Sequence, residues 1–366
     1  MTYALGWKTE HEAFLAADTV ITTRGDSVAL NREQTSFGEK HHKDARHKAE
    51  ESYLKLFLKS NVGVSFAGDV RLARDMIKTF YEEIEGKGST PLDALKWSVS
   101  THCPSPLPVD ESVVLIVAFY TDGHPRLLSF NSQNDHKIRE DEVLVQAGSM
   151  PKNYKEFTEF ALTGIVPNTH GKPNHHLASM LGIFQAYSIF DSLLASSGVG
   201  GAFSGLYIGA SGGSWQPDIL YLLPDKLVST LFRNDCFLIP SPTIGASACF
   251  MSYIPPKPMS EIEKQTQEAV EEAKGVMKEA KFDFAVVVDK EGETLTLLDM
   301  QKNREHEYLR LSWFERDEGK GIRVSQLPQL EEIIKKKTLF KNIPYMKPTY
   351  DTYTAEEVII EEVNHN

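Results

Sequence analysis

Apolar positions along this 366-residue chain fall into short runs whose period changes several times. Tyr3 to Trp7 and Ala13 to Ala17 flank the polar turn TEHE, which predicts a β-hairpin. Residues 21–52 grow dense in charge and poor in apolar side chains, as expected of a long exposed loop. Tyr53 to Leu58 and Val62 to Ala67 predict a second hairpin with Lys59-Ser60-Asn61 at its tip. From Val70 the period shifts: Ala73, Met76, Ile77, Phe80 and Ile84 fall at helical spacing, with charged residues between them. Residues 91–101 read as a second helix that starts at Pro91. Val113 to Tyr120 is one unbroken apolar run, the signature of a strand buried on both faces. Asp122-Gly123 turns it back into Pro125 to Phe130. Val143 to Ala147 predicts another strand, 152–163 and 177–195 two helices, and Leu206 to Gly209 and Ile219 to Leu223 two more strands.

Strands and helices therefore come in segregated runs, not in strict alternation. That order predicts an α+β fold with antiparallel sheets and helices packed on their faces. After Pro224 the character changes. Residues 234–258 carry many Pro, Gly and Ser and are expected to be loop or linker. Glu261 to Lys281 is a strong helix former with opposite charges at i,i+4. Phe284 to Val288 and Thr294 to Leu298 predict a hairpin around Lys290-Glu291-Gly292, and residues 343–366 an extended tail. No internal repeat is visible.

Composition narrows the function classes. The net charge of −12 disfavours nucleic acid and anionic membrane as partners. Three cysteines, Cys103, Cys236 and Cys249, do not form a disulfide framework and suit a reducing compartment. No apolar run approaches the ~18 residues that span a bilayer. The N-terminus has no basic region followed by an apolar one, so no signal peptide is expected. A cytoplasmic protein follows, with its mature N-terminus within one residue of the start.

That expectation gives Thr2 chemical interest. Removal of Met1 would leave a threonine with a hydroxyl nucleophile and a free α-amine as its base. The α-amine has an ordinary pKa of about 7.7–8.0, close to working pH, and a buried cation nearby would lower it further.

Four segments carry a family likeness: MTYALG followed by FLAAD, VGVSFAGDVRLARDMI, LIVAFYTDGHPRLLSF followed by VLVQAGSM, and FDSLLASSGVGGAFSGLYI. In order and spacing, the first ~225 residues resemble the proteasome β-subunit family of N-terminal-nucleophile hydrolases, and within it the bacterial ancestral β-subunit (Anbu) branch. The resemblance implies roles for particular residues. Thr2 would be the nucleophile. Asp18 would hold the lysine and the threonine amine in position. Thr22 would pair its backbone with an extended substrate. Gly68 would offer its N–H to the oxyanion, as a glycine that lets backbone approach substrate. Ser149 would hydrogen-bond the amine, and Asp191, with Ser196 and Ser197 as alternatives, would complete the site. Lys55 in YLKLF best matches the family's lysine, with Lys40, Lys43 and Lys48 as alternatives. The family's Asp-Ser-Arg reads Asp18-Thr19-Val20 here, so its arginine is missing.

Two further features point elsewhere and are set against it. His41, His42 and His47 have a spacing a metal could use, but the charged loop around them suits solvent. The stretches SGVGGAFSG and GASGG follow neither phosphate-binding glycine pattern.

The resemblance implies a four-layer αββα sandwich over residues 1–225, with 226–366 as a C-terminal extension, and a threonine-type hydrolase that cleaves peptide bonds. It implies a peptide or unfolded-protein substrate and a homo-oligomeric ring or spiral, with no metal or organic cofactor. Two rivals remain open: an inactive scaffold subunit, and a small-molecule amidase on the same fold.

Overall fold

The computed structural model describes residues 3–24, 47–51, 54–105, 107–108, 111–133, 137–140, 142–149, 152–162, 172–190, 199–217, 219–222, 236–240, 247–251, 283–289, 294–299, 309–316, 319–326 and 357–360. It is a mixed α+β structure in two compact units. One comprises Met1–Thr35, Glu39–Glu159 and Asp191–Gln216, the other Ser36–Gly38, Phe160–Phe190 and Pro217–Asn366.

The first unit holds two five-stranded antiparallel sheets. Its elements are β1 (Tyr3–Lys8), β2 (Ala13–Asp18), β3 (Val20–Arg24), β4 (His47–Glu51), β5 (Leu56–Lys59), β6 (Val62–Gly68), α1 (Val70–Lys87), α2 (Pro91–His102), β7 (Val113–Thr121), β8 (His124–Asn131), β9 (Ile138–Glu140), β10 (Leu144–Gly148), α3 (Lys152–Phe160), β11 (Phe203–Gly209) and β12 (Gly212–Trp215). One sheet runs β10-β1-β2-β11-β12, the other β5-β6-β7-β8-β9, and β3 pairs with β4 as a separate ribbon.

Strand alternation explains the layering. Along β6, Val62, Val64 and Phe66 face a core shared with Ala73, Met76, Ile77 and Phe80 of α1 and Leu95 and Val99 of α2. The intervening Ala67 joins a second core, between the sheets, with Ala4, Leu15, Ile116, Leu127 and Leu206. Small residues set the spacing of that second core. A Cβ on Gly63 would stand 2.7 Å from Leu206 Cδ1 and 2.8 Å from Ile208 Cδ1, so glycine lets the sheets approach.

The second unit holds α4 (Pro173–Phe190) and an eight-stranded sheet. Its strands are β13 (Ile219–Leu222), β14 (Cys236–Pro240), β15 (Ser247–Met251), β16 (Phe284–Asp289), β17 (Thr294–Asp299), β18 (Leu309–Arg316), β19 (Gly319–Gln326) and β20 (Glu357–Ile360), in the order β14-β15-β13-β16-β17-β18-β19-β20. On α4, Leu177, Met180, Leu181 and Phe184 are buried, and the helix packs against β16 and β17.

Several expectations change. The charged stretch 21–52 is not all loop. Its ends pair as β3 and β4, with Thr22 opposite Ala49. The sequence HKAEE of β4 has no apolar alternation, so only its partner's backbone reveals it as a strand. Residues 234–258 likewise contain the hairpin β14–β15, whose short apolar runs are interrupted by a Pro/Ser/Gly-rich tip. The sheets are not all antiparallel: β13 runs parallel to both β15 and β16. Lys59 belongs to β5, leaving Ser60 and Asn61, at φ 51° and 58°, as a two-residue turn. The expected helix at 261–281 lies outside the described residues.

Candidate active site

The apolar strand β2 ends in a charge. Asp18 closes the run AFLAA and is fully buried. Lys55, the one charged residue in YLKLF, is also fully buried just ahead of β5. Their side chains meet: Lys55 Nζ lies 2.6 Å from Asp18 Oδ1. The ammonium also donates to the carbonyl oxygen of Val20. Asp18 Oδ1 accepts the backbone N–H of Tyr3 at 2.9 Å, and Oδ2 accepts that of Gly200 at 3.1 Å.

Register places this pair at one end of both sheets. Tyr3 stands opposite Gly148, and Asp18 opposite Phe203, so four neighbouring strands end together here. In the other sheet, the carbonyl of Lys55 accepts the N–H of Phe66 at 3.3 Å, two residues before Gly68. The ion pair thus joins the corresponding ends of the two sheets.

Taking both charges from water is costly, and their attraction offsets that cost only when the remaining lone pairs and protons are satisfied. Two backbone donors and one carbonyl do this work. Burial pushes the Asp18 carboxyl above its ordinary range, against the pull of Lys55. Burial also pushes the Lys55 ammonium below its ordinary range, against the pull of Asp18. An ammonium carries three donors. Among the described residues, Asp18 and Val20 accept from the Lys55 ammonium. Such a buried, perturbed pair at a strand end is where functional sites concentrate.

The other candidates are placed as follows. Gly68 ends β6 at φ +105°, and a Cβ there would lie 2.1 Å from the Ser112 carbonyl oxygen. The next residue, Asp69, caps α1 by accepting from Leu72 N at 2.7 Å. Ser149 is exposed and directly follows Gly148, which has φ +107° and pairs with Tyr3. Thr22 lies in β3 with its backbone opposite Ala49, and its side chain is not among the described ones. Thr2, Asp191, Ser196, Ser197, Lys40 and Lys43 lie outside the described residues, as do His41 and His42. Lys48 lies in β4 and is paired through Thr23. Lys55 stands against Asp18, and the side chains of Lys40, Lys43 and Lys48 are not among the described ones.

Sequence reasoning missed three participants: the N–H groups of Tyr3 and Gly200 and the carbonyl of Val20. All are backbone atoms, so side-chain identity does not announce them. The position that breaks the family's Asp-Ser-Arg pattern still serves Lys55, because Val20 contributes its carbonyl. For Gly200, the available signal is the Gly200-Gly201 pair, with φ of +153° and +74°.

Among the described residues, no group of three or more His, Cys, Asp or Glu side chains is placed to hold a metal ion. No helix among them is long and apolar enough to cross a membrane.

Compared with known proteins, the chain matches no protein-family model and no curated protein. Among solved structures it is similar to eukaryotic HslV from Trypanosoma brucei. The two share 13% identity at a TM-score of 0.38, over 57% of this chain and 99% of that one.

Proposed function

We propose that this chain is a threonine-type N-terminal-nucleophile hydrolase acting on peptide bonds, with Thr2 as the nucleophile. One observation carries the reading. The buried Lys55–Asp18 pair is bonded to the backbone N–H of Tyr3, one peptide bond from Thr2. A cation held there lowers the pKa of a neighbouring α-amine and keeps it in its basic form. The same ammonium serves the Thr2 hydroxyl as a donor.

In this reading Thr2 Oγ1 attacks the carbonyl carbon of the substrate amide, and the α-amine takes its proton. The Gly68 N–H stabilises the oxyanion. The amine proton passes to the leaving nitrogen, and water then hydrolyses the acyl-enzyme ester. Ser149 and Asp191 assist the proton transfers, and Thr22 pairs with an extended peptide. The stacked sheets, with α1 and α2 over one of them, form part of a four-layer αββα sandwich. The working form is a ring or spiral of copies in the cytoplasm, closest to the Anbu branch.

The test joins intact mass and N-terminal sequencing to a Thr2→Ala comparison on fluorogenic peptides. A free Thr2 amine and loss of nearly all turnover in Thr2→Ala are expected. A retained Met1, or full activity in the variant, would overturn the reading and leave an inactive scaffold as the better account.

A further inference from the structure

Tyr3 is bound at both ends. Its N–H goes to Asp18, while its phenol is fully buried and donates to Gln146 Oε1 of β10 at 2.9 Å. Thr158 Oγ1 of α3 lies 3.3 Å from the same phenolic oxygen. Gln146 extends the network, donating to the Lys155 carbonyl at 3.1 Å and to Glu159 Oε1 at 3.3 Å. Burial keeps the phenol protonated by pushing its pKa up, so it remains a donor.

A phenylalanine would fill this space without the cost of burying a hydroxyl. The hydroxyl instead fixes the first residue of β1 to β10 and α3. From there Asp18 lies on one side of the chain and Gly148-Ser149 on the other. We propose that Tyr3 is a positioning residue. Its phenol, held by Gln146 and Thr158, sets the direction in which β1 presents Thr2 to Lys55. This inference rests on Thr2 being the nucleophile.

The test uses the full chain and a β-lactone probe, followed by intact mass and peptide mapping. The Thr2 oxygen bonds to the lactone carbonyl and the ring C–O bond breaks. The hydroxyl proton ends on the released alkoxide, so the protein gains the whole mass of the probe. Limiting rate and half-saturating concentration are measured separately. Tyr3→Phe is expected to lower the limiting rate about tenfold with half-saturation nearly unchanged, because orientation and not binding is lost. Gln146→Met cuts the same tie from the other side and is expected to act alike, with the double variant no slower than either single one. A wild-type limiting rate in Tyr3→Phe would overturn the inference. So would a rate loss that merely follows a loss of folded protein on melting. If the unsubstituted chain is not acylated at Thr2, the nucleophile reading falls and this inference with it. If Thr2 is acylated and Tyr3→Phe is unimpaired, only this inference falls.

Discussion

At Lys55 and Asp18 two buried charges balance each other, and removing one exposes what the other costs. Lys55→Met keeps much of the side-chain volume but leaves the Asp18 carboxylate with only backbone donors. Breaking a buried pair in this way costs roughly 3–5 kcal/mol. Asp18 can escape part of that by taking a proton, since burial already raises its pKa and loss of the cation raises it further. A raised folded-state pKa gives stability that is present in acid and lost as pH rises through it. The Lys55→Met thermal midpoint is therefore expected to fall less in mildly acidic buffer than in mildly alkaline buffer, with peptide turnover abolished in both. A midpoint deficit that grows toward acid would contradict this. Both side chains were legible in the sequence only through the family likeness, which pointed to Asp18 at the end of FLAAD and to Lys55 in YLKLF among four lysines. Tyr3 N–H, Gly200 N–H and the Val20 carbonyl were not, since every residue type offers those atoms and only the fold selects among them.

Among the elements, α1 and α2 were the most readable, because their apolar stripes and their caps agree. Asp69 and Thr90 accept from Leu72 and Asp93, and Pro91 starts α2. The C-terminus of α1 gives a sharp test of backbone cost alone. Gly88 sits at φ +66°, with its N–H donating to the Ile84 carbonyl at 3.0 Å. Gly86 lies two residues earlier within the helix. A Cβ at either glycine meets nothing within 4 Å. Gly86→Ala is therefore expected to stabilise by roughly 0.5–1 kcal/mol, and Gly88→Ala to destabilise by about 1–2 kcal/mol. Denaturant unfolding of both variants checks the opposite signs. Among the strands that escaped sequence reading are IRE of β9, HKAEE of β4 and GGSW of β12. None has the alternation or the β-branched content that marks a strand. Each is a strand because a neighbour's ladder fixes it.

For the whole molecule, the chain order of the two units matters more than their sizes. Residues 160–190 belong to the second unit, although the chain returns to the first at 191–216. The sequence could not show this, because the apolar face of α4 does not name its partner. The structure gives that partner as β16 and β17. A Cβ on Gly182 would stand 3.3 Å from Val286 Cγ2, and His175 packs edge-on against Phe284 at 5.0 Å. A chain cut after residue 225 keeps α4 and loses both strands. Leu177, Met180, Leu181 and Phe184, now buried, would lose that cover, and an apolar patch of this kind binds dyes and self-associates. The 1–225 fragment is expected to bind an apolar dye strongly, to melt without a cooperative transition in this region and to elute as a broad aggregate. A fragment that melts cooperatively, binds no dye and matches the full chain's assembly by sedimentation would show that α4 finds sufficient cover within the first 225 residues. The sheet of the second unit would then be an appendage, not a support.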